Sequence, residues 1–524
     1  MHFFTQHHFW TIPVCKTVPE TVFKISGKDR QYEYALKIRA AAVADADFVA
    51  TSSIPAYFER ELNIECDNQA LLNEIRLTDS PFDSDGYAGP HRQQFHFSSR
   101  TGFLNDPNGL FYFQGTYHLF FQHHPFGVYG AQQHWGHAIS SDLVHWQEKG
   151  QALFPRGTSA CWSGSAFVDT ENVSGLGIPG GPSPILLFFT SADSGCFSQN
   201  IAYSVDGGEN FIPYRRNPVL ISQGDGDDRD PSIAYDAECR EFLMCLFLGE
   251  TSRQFGMFRS DDLLHWQEFQ RFSFPGEGCE CPDLFSIRDE ATGRVRWVLI
   301  EANGHYLLGD RNGKDGTFVW NTGGTILNRQ DYLGPYAGQS FQNVPDGKRY
   351  YMAWHWDHTR TRETSQAMTL PVELKLRGER LLVFPVEALK TLRCETYRFS
   401  APAFQVRLRE LPVDSGDLWE LEIVTPPDEE IHLNFGGVPI AFDGKRRELR
   451  IASSVITYPD GETYFRGRIF LDRNTVDLFD HAGRFMLCVS VDRHSSRPVE
   501  FGDLWKTNRL RELTVHRLKS IWQF

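Results

Sequence analysis

No run of about eighteen apolar residues occurs in the 524-residue chain, so no segment reads as a membrane-spanning helix. The opening residues, Met1-His2-Phe3-Phe4-Thr5-Gln6-His7-His8, lack a basic stretch and a long apolar core, and do not read as a secretion signal. Basic residues are in deficit: 52 Lys and Arg face 67 Asp and Glu, a net charge of −15. An acidic surface repels nucleic acid and anionic lipid, so neither is an expected partner. Ten cysteines stand at 15, 66, 161, 196, 239, 245, 279, 281, 394 and 488, without a CxxC pair or zinc-ligand spacing. Scattered thiols suit a reducing compartment, and a cytoplasmic protein is the simplest expectation; a trimmed secreted chain would read the same. Helical periodicity is sparse, which points to an all-β fold.

The chain is rich in aromatics and glycine. Phe, Trp and Tyr make up 14%, with 42 Phe and 12 Trp, and 44 glycines are spread along it. Aromatics favour strands and suit stacking on sugar rings; dispersed glycine fits many short strands joined by turns. A core this large divides into two or three domains.

One internal repeat organises the middle. Ser141-Asp142-Leu143-Val144-His145-Trp146 resembles Ser260-Asp261-Asp262-Leu263-Leu264-His265-Trp266 if one inserted residue is allowed. Ser204-Val205-Asp206, followed by Phe211, lies between them. The aspartates recur roughly every sixty residues, each after a strand-like run, and blades of a propeller repeat in this way. Five such units fill the region. The expected division is a β-rich N-terminal module over 1–88, a five-bladed β-propeller over 89–372 and a C-terminal β-sandwich over 373–524. Pro81 to Gly89 reads as a linker.

Three segments place a carboxylate beside proline: Asn105-Asp106-Pro107-Asn108-Gly109, Arg229-Asp230-Pro231 and Glu280-Cys281-Pro282-Asp283. Proline pushes its predecessor toward an extended conformation, a way to hold a side chain at a strand start. Their wide spacing puts the three on different blades, whose strands converge on the axis. Glycoside cleavage needs one carboxylic acid to protonate the leaving oxygen and one carboxylate to attack or to activate water; a third can orient hydroxyls. Alone, each segment is an ordinary turn or ion pair. His123 and His124 read as satisfied core histidines rather than metal ligands, and Trp146 and Trp266 as blade core.

With these motifs, Tyr117-His118-Leu119-Phe120-Phe121-Gln122, Trp135-Gly136-His137 and Trp162-Ser163-Gly164-Ser165, residues 90–524 resemble the β-fructosidases of glycoside hydrolase family 32, the invertase, inulinase and levanase group. The sandwich resemblance runs through Leu381 to Arg393 and Asp472 to Phe479. The resemblance implies Asp106 as nucleophile, Glu280 as acid/base and Asp230 as transition-state stabiliser. Asn105, Gln122, Trp135, Trp162, Ser163, Ser165, Arg229 and Trp354 fall on sugar-contacting positions. It implies a retaining reaction through a covalent fructosyl-aspartate, on terminal or internal bonds of sucrose, fructo-oligosaccharides, inulin or levan, without metal or cofactor. Glu280 must carry a proton in the first step, and Arg229 is expected to keep Asp230 ionised. The partner is a fructose-containing saccharide, with room for a homo-oligomer. Two features depart from the family pattern: Tyr129-Gly130 stands where Trp-Gly is usual, and Asp331-Tyr332-Leu333-Gly334-Pro335-Tyr336-Ala337 lacks a second aspartate. Fructosyl transfer shares the same intermediate. An inverting arabinose- or xylose-cleaving propeller would need wider carboxylate spacing, and a non-catalytic fructan-binding propeller predicts a lost carboxylate.

Overall fold

The computed structural model describes residues 1–80, 87–89, 92–193, 195–276, 278–327, 334–360, 363–399, 418–425, 427–435, 438–451, 454–457, 463–491 and 512–522. Most of the expected linker (81–86) and Asp331 to Leu333 lie outside them. Among the described residues the α-helical content is one turn, Gln69–Leu72, and no helix is long and apolar enough to cross a membrane.

The middle of the chain forms a five-bladed propeller. The first blade runs outward as Gly102–Phe113, Thr116–His124, His134–Ser140 and Trp146–Leu153. The second is Ala160–Val168, Ile185–Ala192 and Ser198–Ser204, edged by Ile212–Pro213 and Leu220–Ile221. The third is Arg229–Asp236, Glu241–Phe247, Gln254–Ser260 and Gln267–Ser273, and the fourth Asp283–Arg288, Val295–Ile300, His305–Arg311 and Phe318–Thr325. The fifth begins with Pro335–Ser340 and Arg349–Arg360. The innermost strands touch in chain order, and the fifth returns to the first. Thr364–Met368 completes the closure, pairing antiparallel with Arg349–Arg360 and parallel with Gly102–Phe113. Radial closure of this kind leaves only short edges unpaired.

The repeat is a built turn between the third and fourth strands of a blade. Asp142 Oδ1 accepts the Val144 and His145 N–H groups at 2.9 and 2.8 Å and the Ser140 hydroxyl at 3.1 Å, while Oδ2 meets His145 Nδ1 at 2.7 Å. Asp262 repeats every contact with Ser260, Leu264 and His265. Asp206 does so with Ser204, Glu209 and Asn210. Ser140, not Ser141, is therefore the counterpart of Ser260, and the units align without an insertion. Side-chain oxygens that cap turn N–H groups explain why Ser and Asp recur here.

The boundary expected at 372/373 falls inside the fifth blade. Val372–Arg377 pairs with Arg349–Arg360, and Arg380–Pro385 pairs with Val372–Arg377. Leu381 to Pro385 thus belong to the blade sheet, because alternating strands look alike whichever sheet receives them. Beyond them, a six-stranded sheet (Arg393–Phe399, Glu512–Leu518, Leu418–Val424, Arg466–Leu471, Thr475–Asp480 and Met486–Ser490) faces a four-stranded one (Glu430–Phe435 to Ser454–Thr457). The two enclose a separate core around Trp419, Leu421, Ile440 and Ile469. The N-terminal residues form two small sheets whose core, around Trp10, Phe23 and Leu62, also takes in Phe126 from the propeller.

Candidate active site

Four of the five inner strands break their ladder beside the axis; Asp283–Arg288 keeps its register, and Glu280 lies in the loop before it. Register shifts lie between Leu104 and Pro107, around Asn105 and Asp106; between Trp162 and Gly164, at Ser163; between Arg229 and Ser232, at Asp230; and between Tyr336 and Gln339. A bulge bends the strand and re-aims a side chain. Here it turns polar groups inward while the rest of the strand stays in the core. Two residues before prolines depart from the extended backbone expected of them: Asp230 has φ +66° and Cys281 φ +52°. The bulge wins over the proline preference at Asp230, and the Asp230 N–H that leaves the ladder donates instead to Thr190 Oγ1 at 2.9 Å.

The bulges open onto a cavity of about 650 Å³ lined by Asn105, Asp106, Gln122, Trp162, Arg229, Asp230, Glu280, Tyr336 and Trp354, together with polar rim residues such as Gln132 and Thr158. The three predicted carboxylates meet there. Asp106 Oδ2 accepts the Ser163 hydroxyl at 2.6 Å and Gln122 Nε2 at 3.3 Å, while Oδ1 accepts Asn105 Nδ2 at 3.2 Å. Asp230 Oδ2 accepts the Cys281 N–H at 3.0 Å. The Cys281 thiol bridges the pair, 3.4 Å from Asp230 Oδ2 and 3.7 Å from Asp106 Oδ2. Glu280 accepts from Arg229 Nε at 2.8 Å on Oε2 and from the Tyr336 hydroxyl at 2.7 Å on Oε1.

Burial pushes the Asp106 carboxyl up to about 6; the Ser163 hydrogen bond opposes the rise and the charge of Glu280 adds to it. Burial and then Glu280 also raise Asp230, and the nearby guanidinium pulls it back. The expectation that Arg229 holds Asp230 ionised is corrected by the geometry. Arg229 Nε stands 3.9 Å from Asp230, nearer to Glu280, and its Nη2 reaches Glu250. Its partners are shared among four acidic groups, Asp227 included. Tyr336 stays a donor, because burial and then Glu280 push its hydroxyl far up.

The remaining predicted contacts divide. Trp162 lines the cavity edge-on to Phe197, with ring centroids 4.8 Å apart. Trp354 forms an aromatic wall with Trp356, stacked at 5.4 Å, and with Tyr336. Ser163 acts through Asp106. Trp135 and Ser165 do not reach the cavity lining. Trp135 is fully buried between the first two blades, its indole N–H on the Trp162 carbonyl at 3.1 Å, and so supports the platform from behind. Ser165 ties the second blade to the third, donating to the Pro231 carbonyl at 2.8 Å and accepting the Ile233 N–H at 2.9 Å. The register shift between Trp162 and Gly164 lets the adjacent Trp162 and Ser163 both face the site, while Ser165 beyond it meets the third blade. Ser165→Ala is therefore expected to lower stability by about 1–3 kcal/mol through two unsatisfied buried groups, with KM for the sugar within about twofold of wild type. Thermal melts beside steady-state kinetics check this; a raised KM at unchanged stability would contradict it.

His123 and His124 are core-satisfied: His123 Nε2 meets the Thr101 carbonyl and His124 Nδ1 the Tyr129 carbonyl, each at 2.9 Å. Burial lowers both pKa values. Tyr129 is exposed beside Gly130, which lines the cavity. Tyr336, Cys281, Thr190 and Glu250 join the site unforeseen. Tyr336 sits in the stretch that departs from the family pattern, and no spacing connects it to Glu280.

The arrangement matches known proteins. A model of the glycosyl hydrolases family 32 N-terminal domain matches residues 96–385. A levanase from Bacillus subtilis is 29% identical, over 86% of this chain and 74% of the levanase. An extracellular exo-inulinase from Aspergillus niger is 30% identical, over 83% of this chain and 96% of its own. The crystal structure of exo-inulinase from Aspergillus awamori superposes with a TM-score of 0.71, covering 84% of this chain and 100% of that one at 23% identity. The match spans the blades that carry all three carboxylates, and on it the chain belongs to glycosyl hydrolase family 32.

Proposed function

We propose that the protein is a retaining β-fructosidase that hydrolyses fructofuranosyl bonds through a covalent fructosyl-Asp106. The observation that carries this reading is the convergence of Asp106, Asp230 and Glu280 on one cavity. The levanase and exo-inulinase relatives support the fructoside class of substrate.

In the first step Asp106 attacks the anomeric carbon while Glu280, protonated, gives its proton to the departing glycosidic oxygen. Ser163, Gln122 and Asn105 point the Asp106 carboxylate by donating to it from its own and the neighbouring blade. Asp230 lies where it can accept hydrogen bonds from fructose hydroxyls, and such bonds strengthen as charge develops on the ring. In the second step Glu280, now ionised, takes a proton from water, which displaces Asp106 and restores both groups. Trp162 and Trp354 offer apolar faces to the sugar.

The test is sugar release from sucrose, inulin and levan, beside an Asp106→Ala variant, with products separated by size. Fructose or fructo-oligosaccharides from the wild type alone are expected, and product size then distinguishes attack at chain ends from attack within chains. No release from any of the three substrates would overturn the reading.

A further inference from the structure

Glu301 takes no part in the site's lining, yet its surroundings tie it to the acid/base. Its side chain is fully buried beneath the loop that carries Glu280. Oε2 accepts the Cys279 N–H at 3.2 Å, the Cys279 thiol at 3.3 Å and Asn303 Nδ2 at 3.1 Å. Oε1 accepts the His305 N–H at 3.0 Å and meets His305 Nδ1 at 2.8 Å. A buried carboxylate with this many donors is rigid, and removing it would strand several of them.

The backbone beside Glu301 reaches both halves of the acid/base assembly. The Ala302 N–H donates to the Glu280 carbonyl at 3.0 Å, and the Ala302 carbonyl accepts the Ala337 N–H at 2.8 Å. Ala337 follows Tyr336, whose hydroxyl donates to Glu280 Oε1 at 2.7 Å. The Cys279 thiol closes the loop, 3.5 Å from the Tyr336 hydroxyl. One turn on the fourth blade therefore fixes the residue before Glu280, the main chain of Glu280, and the main chain next to its tyrosine partner.

We propose that Glu301 is a positioning residue for the acid/base: it holds the Cys279–Glu280 backbone and, through Ala302, the Tyr336 hydroxyl in register, so that the Glu280 carboxyl is aimed at the leaving oxygen. This rests on the assignment of Glu280 as acid/base. Small misplacements of a proton donor are costly, because proton transfer demands hydrogen-bond distance.

The test compares a substrate whose leaving group needs a proton, sucrose, with one that leaves readily as an anion, p-nitrophenyl β-fructofuranoside. Its readout is kcat/KM, which reports the first step. Glu301→Gln is expected to lose about 10- to 100-fold on sucrose and to stay within about threefold on the aryl fructoside. Tyr336→Phe, which leaves the buried cluster in place, should show the same selective loss. Equal losses on both substrates, or none on either, would overturn the proposal. Glu280→Gln is the control: if it keeps sucrose turnover, the acid/base assignment fails and this inference falls with it. If it loses sucrose selectively while Glu301→Gln and Tyr336→Phe do not, only the positioning role is refuted.

Discussion

Replacing Asp106 by asparagine is expected to abolish turnover and, at pH 7 and above, to raise the melting temperature. The loss follows from the covalent step, since an amide cannot attack; at least a 10³-fold fall in kcat is expected. The gain follows from electrostatics. Asp106 ionises near 6 in the fold against an ordinary 3.8, so its folded-state pKa is raised. A carboxyl shifted in this direction favours the fold below its unfolded pKa, and that advantage is lost as pH rises through the folded value. Above pH 6 the ionised group costs the native state about 3 kcal/mol. Asparagine removes that cost but misplaces one donor against Gln122, so a net gain of about 1–2 kcal/mol, or some 1–3 °C, is expected. The variant and wild type should converge near pH 4 and diverge toward pH 8 in thermal melts. A pH-independent difference would sink the electrostatic account. The same ionisation sets the acid limb of the wild-type profile: kcat/KM should fall tenfold per pH unit below about 6 as the nucleophile takes up a proton.

A site that costs the fold this much is held together by the bulges, and these were not legible in the sequence. The motifs pointed to three carboxylates, and Asp106, Asp230 and Glu280 line one cavity. They did not show which way each neighbour points. Trp135 and Ser165 belong to the same strings of residues as Gly136 and Ser163, but Trp135 turns into the core and Ser165, beyond the bulge at Ser163, into the seam between blades. Arg229 is adjacent to Asp230 in the chain, and adjacency suggested an exclusive pair; in the fold the guanidinium lies nearer Glu280 and is shared with Asp227, Asp230 and Glu250. Blade number followed from the turn repeat, whose Ser and Asp side chains cap backbone groups locally. The end of the fifth blade did not, because strand alternation specifies a buried face without saying which sheet lies against it. The contacts of Glu301 and Tyr336 were not legible for a related reason: Glu301 meets the Glu280 segment from the end of the next strand of the same blade, and Tyr336 meets it from the fifth blade, at separations no local pattern marks.

The second large effect lies where the irregular segment leading into the first blade meets the sandwich. His96 is fully buried, with Nδ1 2.8 Å from Asp472 Oδ2 and Nε2 2.8 Å from Asp477 Oδ2. Both ring nitrogens face carboxylates, so the ring is an imidazolium between two anions. Asp472 also accepts the backbone N–H groups of Gln94, Phe95 and His96. Burial opposes the charge on His96, but Asp477 and Asp472 outweigh it and push the ring up to about 10. A raised histidine contributes stability that is whole below its ordinary 6.5 and is lost as pH climbs through 10. His96→Ala strands two buried carboxylates, and breaking a buried pair in this way costs about 3–5 kcal/mol. The melting temperature is expected to fall most near pH 6, with the gap to wild type narrowing from about pH 6.5 upward and nearly closed at pH 10 as the wild-type ring loses its proton. A gap that persists unchanged at pH 10 would mean that His96 holds the sandwich by shape rather than by charge. Asp472 follows the strand Arg466–Leu471 and Asp477 lies within the next strand, Thr475–Asp480, so one turn of the sandwich brings both carboxylates to His96. The propeller donates the cation, the sandwich supplies both anions, and neither half can satisfy its buried charge alone.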